Sequence, residues 1–570
     1  MMRHPLNSLH SNGIRSTAPR LPFAVTAAAR CFLFAFAFAF AVAAAGGESA
    51  FALRDKPWSE VFTEAIHDKY SEVFGDESAF ASVVYIDPGY TGGGSDGSKE
   101  RPLTSLNHVS MSASDVAYLI KRGTSHRISN IAFTGNRVMV GAYGEGDRPH
   151  THGSRLLFYG SDCLIRDQDA EAFRHGSHGN YANALNLRVF NSRFHGTSSN
   201  TSFGRNYLFI GIEVLNNDRN GIFFQQLDVG QDSHIEIGYS YIHKVNQVWL
   251  PDGKPQSTAS GDGIMFNPFR GTYHYHNNII DRSDTGNKFC IIGNPAPNGG
   301  HAVYGLIENN YLYGPKSYPD GASAMYFGNI DGPSEAAHHH IEVRNNVVIG
   351  TSHPLGGDEN RTGQGIYTNT ARVTVYGNLF LDMRGGLTIG SGFGENIVYN
   401  NTFLKMYDRQ RISGRTAYVY NNIFDENRMQ TPDNAGNNLF LVRVREEDYF
   451  IDPKSEDYRL VEGSPAIGAG SWHPWMNNEW MVDMLGTAIP HDDTIDAGAF
   501  QYRESWGELP QPTEWAGYPI LKGNWVDTGD LFGRLHIGLS PWIYAEDLRR
   551  WIYLPEENVL PPGAWWYAFR

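Results

Sequence analysis

The residues of this chain best suited to moving a proton beside a negative charge lie between Asp262 and Lys288. Asp262 stands just before the run Gly263-Ile264-Met265-Phe266. Lys288 stands just before Phe289-Cys290-Ile291-Ile292, with Asp281 and Asp284 in the turn that leads to it. If the two runs are adjacent strands of a parallel sheet, Asp262 and Lys288 are about 5 Å apart at backbone level, and Asp281 and Asp284 converge on them. Removing a proton α to a carboxylate needs a clamp that neutralises that carboxylate and a base that takes the proton. Lys288 is the candidate base, provided burial or Arg270 lowers its pKa against the opposing pull of Asp262. Asp262, Asp281 and Asp284 offer hard oxygen ligands for Ca²⁺. Arg270 and Tyr326 join Lys288 and Asp262 in the candidate catalytic set; Asn220, Asn267, His276 and Tyr367 are the candidate substrate-binding residues. Two other readings stand beside this one. Asp262 and Lys288 also fit an ordinary ladder pair on an outer face. Two-carboxylate hydrolysis fits Asp262 with Asp281 or Asp284, or Glu308 with Glu342 on another face.

Such convergence requires a stacked coil, and the chain carries the matching repeat. A short β-type run ends in a polar pair followed by apolar residues at His276-Asn277-Asn278-Ile279, Glu308-Asn309-Asn310-Tyr311, Arg344-Asn345-Asn346-Val347, Tyr376-Gly377-Asn378-Leu379, Tyr399-Asn400-Asn401-Thr402 and Tyr420-Asn421-Asn422-Ile423. From Asn277 the steps are 32, 36, 32, 23 and 21 residues, a basic turn with loops inserted in some copies. That period predicts a solenoid. A second run lies between the copies, and alternation predicts one inward stack of Ile222, Ile264, Cys290, Met325, Ile366 and Leu387. Phe223, Met265, Ile291, Tyr326, Tyr367 and Thr388 then face outward. Asn at the polar pair suits a left-handed bend, and stacked amides can bond the rungs above and below. The expected fold is all-β, a parallel β-helix.

These residues resemble the right-handed parallel β-helix proteins of the pectin-lyase-like superfamily. The likeness is carried by Val84-Tyr85-Ile86-Asp87-Pro88-Gly89, Arg101-Pro102-Leu103-Thr104, Val140 through Gly146, Gly463-Ser464-Pro465-Ala466-Ile467-Gly468 and Asp496-Ala497-Gly498-Ala499-Phe500. The last two resemble the segment that closes many of these coils. The resemblance implies a carbohydrate-active protein, and for its lyase branch Ca²⁺ or Arg as the clamp and Lys or Arg as the base. It does not choose among lyases, glycosidases, epimerases, esterases and non-catalytic members. The glutamate-rich strand of alginate and chondroitin lyases and the motif of alginate epimerases are both missing from this sequence, so no site residue transfers from them.

Composition agrees with export. Residues 1–52 carry four Arg and a single acid, with an apolar run from Cys31 to Ala45, and read as a cleaved export signal too short to span a membrane. Removing them takes the formal charge from −15 to −18. A surface so acidic is unsuited to nucleic acid or anionic membranes, and an anionic polymer would need a local basic patch or Ca²⁺ to approach. The destination expected is bacterial, either secreted or periplasmic and cell-surface. Cys163 and Cys290 remain after cleavage, and Cys290 reads as a buried free thiol.

Residues 53–82 predict an N-terminal cap with a short helix over the open end of the coil; 83–503 predict the β-helix and its closing segment. Residues 504–570 hold seven of the twelve Trp and predict a small module of three or four short aromatic strands. This tail resembles Trp-rich modules at the C-termini of secreted proteins from some marine bacteria; it would stack on sugars, attach the protein to the cell surface, or simply supply its own core. Long insertions cluster at the ends of the Gly-Ile-type strand, which predicts an elongated groove between about Asp218 and Asn369 and a polysaccharide substrate. Lyase chemistry is expected ahead of hydrolysis, with a non-catalytic glycan-binding protein as the third reading. His338, His339 and His340 read as solvated loop histidines rather than a Zn²⁺ site, and the pairs His150 and His152, His175 and His178 are too loosely patterned to assign.

Overall fold

A computed structural model describes residues 62–503 except 130, 177–183, 196–199, 216–219, 226–232, 244–261, 282–289, 296–302, 317–322, 329–338, 352–363, 369–371, 384, 390–394, 407–410, 413–415, 426–433, 443, 478–481 and 491–493. It also describes short strands between 514 and 553. The export segment, Asp284, Lys288 and the side chain of Asn267 lie outside the described residues.

Among the described residues three long parallel sheets wrap around one core, with 14 strands in sheet A, 13 in sheet B and 11 in sheet C. The chain visits A, B and C in turn, and each strand pairs with its counterpart one turn on: Gly271–His276 pairs with Val303–Glu308 in A, Ile279–Asp281 with Tyr311–Lys316 in B, and Ile264–Phe269 with Ile291–Pro295 in C. Parallel strands joined through crossovers take the right-handed coil. The fold is a right-handed parallel β-helix.

The Asn pairs make the A-to-B corner. The first residue of each pair takes positive φ, 53° at Asn277 and Asn345 and 65° at Gly377, which turns the chain within two residues. The second forms a buried amide ladder. Asn310 Oδ1 accepts from the backbone N and the Nδ2 of Asn278 at 3.0 and 2.9 Å, and Asn278 Nδ2 also donates to the Ile237 carbonyl at 2.8 Å. The pattern repeats through Asn346, Asn378, Asn401, Asn422 and Asn438. Each buried amide would cost about 1–3 kcal/mol if unpaired, so the ladder locks the register of successive turns.

The inward stack needs one correction. Ile222 pairs with Ile264, but Ile264 pairs with Ile291 rather than Cys290, and Ile291 with Met325, Met325 with Ile366 and Ile366 with Leu387. Cys290 is still fully buried, one residue earlier, where its backbone carbonyl accepts from Ile264 N. It continues a column of small residues, with Gly263 before it and Ala324 after it. A Cβ on Gly263 would come within 2.6 Å of the Cys290 carbonyl. Bulk is excluded at that corner, so the small thiol sits there and the isoleucine moves inward. Cys163 and Cys290 are both free and buried, and burial pushes the Cys163 thiol up to about 12.

The helix α1 (Glu64–Phe74) forms with Thr63 as its N-cap and buries Ile66, Tyr70 and Phe74, spaced four apart on one face. Its contacts run along the A-to-B corner: Phe74 stacks on Phe190 at 4.7 Å, and Tyr70 meets Tyr239 at 5.8 Å. Phe62 reaches Gly211, whose φ of +64° and lack of a side chain leave room for the ring. The closing segment lies on the outward face of the later sheet B turns. There Phe450, Tyr458, Leu460, Ala466, Ala497 and Phe500 cluster with Ile279, Tyr311, Val347, Leu379 and Ile423. Gly498 N donates to the Asn421 carbonyl at 2.7 Å, tying this segment to the ladder.

The region from Pro510 forms a second compact unit with six short antiparallel strands between Glu514 and Tyr553, more than the three or four expected. Trp525 pairs in register with His536, Tyr544 with Trp551 and Trp542 with Tyr553. Among the described residues no helix is long and apolar enough to cross a membrane.

Candidate functional site

The A-to-B corner spans two residues, as at Asn309 and Asn310 between Val303–Glu308 and Tyr311–Lys316, so nothing long can leave from it. The long connections instead adjoin the strands of sheet C: 244–261, 282–289, 317–322 and 352–363 precede them, and 296–302 and 329–338 follow. Sheet C is therefore the face flanked on both sides by insertions.

On its outward face Phe223 aligns with Met265, Met265 with Ile292, Ile292 with Tyr326, Tyr326 with Tyr367 and Tyr367 with Thr388. Tyr326 and Tyr367 are half-buried, and their rings stack with centroids 5.5 Å apart and planes 4° from parallel. Burial, with the neighbouring Tyr367, raises the Tyr326 phenol. Just before the strands, Asn220 Oδ1 accepts from Asp262 N at 3.1 Å and Asn220 Nδ2 lies 3.4 Å from Met265 Sδ. Asp262 is 1% exposed.

The expected residues thus divide. Tyr326 and Tyr367 belong to sheet C, and Asn220 and Asp262 stand just before two of its strands. Asn267 lies in the same sheet's strand Ile264–Phe269, and Arg270 at that strand's exit, where its carbonyl accepts from Ser233 N at 3.0 Å. Asp281 ends a sheet B strand, half-buried between His243 and Tyr313 in the register. His276 is on sheet A, at the opposite end of that strand from Arg270, and so apart from the sheet C face. The expected Asp262–Lys288 rung assumed Cys290 opposite Ile264; with Ile291 there, that register is displaced by one residue.

Sheet A carries what sequence reasoning underrated. The residue just before each Asn pair forms an outward column of His276, Glu308, Arg344, Tyr376 and Tyr399. A second column two residues earlier adds Glu236, His274 and Glu342. His274 Nε2 lies 2.8 Å from Glu308 Oε1, His276 Nε2 lies 3.3 Å from Glu236 Oε1, and Arg344 reaches Glu308 at 2.7 Å and Glu342 at 3.3 Å. Tyr376 donates to Glu342, and Asn477 of the closing segment donates to Glu342 at 3.0 Å and Tyr376 at 2.8 Å. Burial alone would raise Glu308, but Arg344 and then His274 hold it well below the usual carboxylate range. Glu236 is likewise held low against burial, by His234 and His276. Among the described residues this network is largely buried, with Glu308, Glu236 and Arg344 almost fully covered and Glu342 partly exposed. The sequence signal was the identity of the residue before each Asn pair, read as a vertical column.

No family model matches this chain, and no curated protein sequence is similar to it. Among solved structures, the pectate lyase Pel9A aligns with a TM-score of 0.38 and 14% identity over 74% of this chain and 97% of that one. A GH136 lacto-N-biosidase from Eubacterium ramulus aligns with a TM-score of 0.32 and 11% identity, over 66% of this chain and 69% of that one.

Proposed function

We propose that this protein is an exported enzyme that degrades a polysaccharide on the outward face of sheet C, cleaving a uronate-containing glycan by β-elimination. The observation that supports this most is the parallel Tyr326–Tyr367 pair, half-exposed on the face flanked by long connections. Two parallel, stacked phenols one rung apart offer an apolar aromatic surface to the C–H faces of sugar rings. Connections on both sides would wall that platform into a groove open at its ends, the form a polymer needs.

In this reading Lys288 takes the α-proton, Arg270 and Tyr326 orient and neutralise the carboxylate, and Asp262 with Asp281 and Asp284 holds Ca²⁺ against it. Asn220 and Tyr367 bind the sugar beside them, with Asn267 a further contact in the same strand as Met265. Hydrolysis by Glu308 and Glu342 is disfavoured: that mechanism needs one carboxyl kept protonated, and Arg344 holds Glu308 ionised beneath a roof of protein. The C-terminal unit would serve attachment to glycan or cell surface.

The test is incubation of the exported form with a panel of acidic and neutral polysaccharides, with Ca²⁺ or with EDTA. Unsaturated products absorbing in the ultraviolet, lost in Lys288→Ala and Asp262→Asn, are expected. New reducing ends without that absorbance would establish hydrolysis instead. No turnover across the panel, with retained binding, would establish a glycan-binding protein.

A further inference from the structure

On the outward face of sheet B, three side chains from successive turns converge. They are His150 of the strand His150–His152, Asp169 of Asp169–Ala170 and His195 of Arg193–His195. In the register His150 lies directly opposite Asp169, while His195 lies one rung on and two residues along, on the same face. The ligand atoms of all three fall within 4.8 Å of one another: His195 Nε2 is 2.8 Å from Asp169 Oδ1, and His150 Nδ1 is 3.6 Å from Asp169 Oδ2.

Two features set this cluster apart, beyond the contact of His195 Nε2 with Asp169 Oδ1 at 2.8 Å. First, the cation nearest in the register is committed elsewhere. Arg193 stands directly opposite Asp169, yet its guanidinium binds Glu213 at 2.6 Å. Asp169 is left facing imidazoles. Second, the rings are held in place: His150 stacks on His195 at 5.1 Å and 6°, and on His152 at 5.3 Å and 14°.

We propose that His150, Asp169 and His195 bind a divalent transition-metal ion of the Zn²⁺ type. Two imidazoles and one carboxylate are a borderline-soft donor set that suits Zn²⁺ better than Ca²⁺ or Mg²⁺. Tetrahedral coordination at about 2.1 Å places donor atoms about 3.3 Å apart, a contraction within reach of side-chain rotation from the present spacing. The side chains retain 34%, 21% and 31% of their exposure, so a fourth position is open to water. The ion would tie three turns of the coil at its early end, before the amide ladder of Asn278 onwards begins. This site is independent of the sheet C face and of any Ca²⁺ bound there.

The experiment uses the full exported chain, stripped with EDTA and titrated with Zn²⁺ alone against a chromophoric chelator, with Co²⁺ as a spectroscopic probe. One tight equivalent is expected, with the intense visible bands of tetrahedral Co²⁺ and a raised melting temperature. Affinity should fall by more than about 100-fold in Asp169→Asn and His195→Ala, while His152→Ala, which removes a stacking ring and no ligand, should change it little. Binding that is equal in the wild type and in both ligand variants would overturn the site. So would an octahedral Co²⁺ spectrum unchanged by them. Should Asp169→Asn fail to fold, His150→Gln is read in its place by the same criteria.

Discussion

The outward faces of sheets A and C are built from the same repeating strand and end in opposite chemistry. Sheet A collects Glu236, His274, His276, Glu308, Glu342 and Arg344 into one charged network and covers it, through Asn477 at one end and α1 beside Tyr239 at the other. Sheet C presents Met265, Ile292, Tyr326 and Tyr367, with few titratable groups among its described residues, and is flanked by the long connections. The contrast separates two tasks. Charges that compensate one another under protein hold turns in register; a partly apolar platform leaves its binding capacity for something outside the chain. A cluster of ionisable groups is thus a poor guide to the active face of this coil, and burial decides.

The largest effect that would break this comparison is at Arg344. If the sheet A network is structural, Arg344→Met leaves Glu308 buried beside Glu342 without its cation, at a cost of about 3–5 kcal/mol. Denaturant unfolding should show that loss at pH 7, and the residual folded enzyme should turn over polysaccharide at an unchanged rate. A variant with wild-type stability but no activity would move the active site to sheet A.

A second test concerns histidines that face the interior. Burial pushes His126 and His175 down to about 4 and His339 down to about 3, so the folded protein keeps all three neutral. The unfolded chain protonates them near pH 6.5 and therefore binds more protons as pH falls. Their stabilisation is complete above that pH and is lost progressively as pH drops toward 4, by up to about 1.4 kcal/mol per unit for each histidine. Glu236 and Glu308, held low in the folded state, add a loss of the same sign below their ordinary range. Melting temperature should fall steadily from pH 7 to pH 5, and His175→Gln should flatten that slope; a flat wild-type profile would show that these side chains are hydrated.

Much of this architecture was legible from the chain alone. The polar pair announces both the left-handed bend and the amide ladder, because one residue must take positive φ and the next must satisfy a buried corner. The facing of Tyr326 and Tyr367 followed from alternation. The run Phe289-Cys290-Ile291-Ile292 misled because four apolar residues carry no period of two, and a slip by one reverses the faces. The small-residue column of Gly263, Cys290 and Ala324 was the available correction. His150, Asp169 and His195 stand 19 and 26 residues apart in unlike local contexts. Only the register of three turns unites them; the polar pairs Asp167-Gln168 and Asn191-Ser192 mark two of those turns without telling which outward side chains meet.

The smallest effect is the one that sharpens the comparison most. Tyr367→Ala removes one ring of the sheet C platform while leaving Ile366, the inward neighbour in the same strand, in the core. A stacking contact contributes about 0.5–1.5 kcal/mol, so kcat/KM on a polymer should fall by up to about tenfold, chiefly through KM, with little change in melting temperature. Tyr367→Phe separates the ring from its hydroxyl: a platform that works by stacking keeps nearly full activity, whereas a phenol that donates to the sugar or carries a proton loses it. Since Tyr326 lies parallel at 5.5 Å, the double alanine variant should lose more than the sum of the singles if one sugar spans both rings. Strict additivity would mean that the two rings contact separate sugars along the chain.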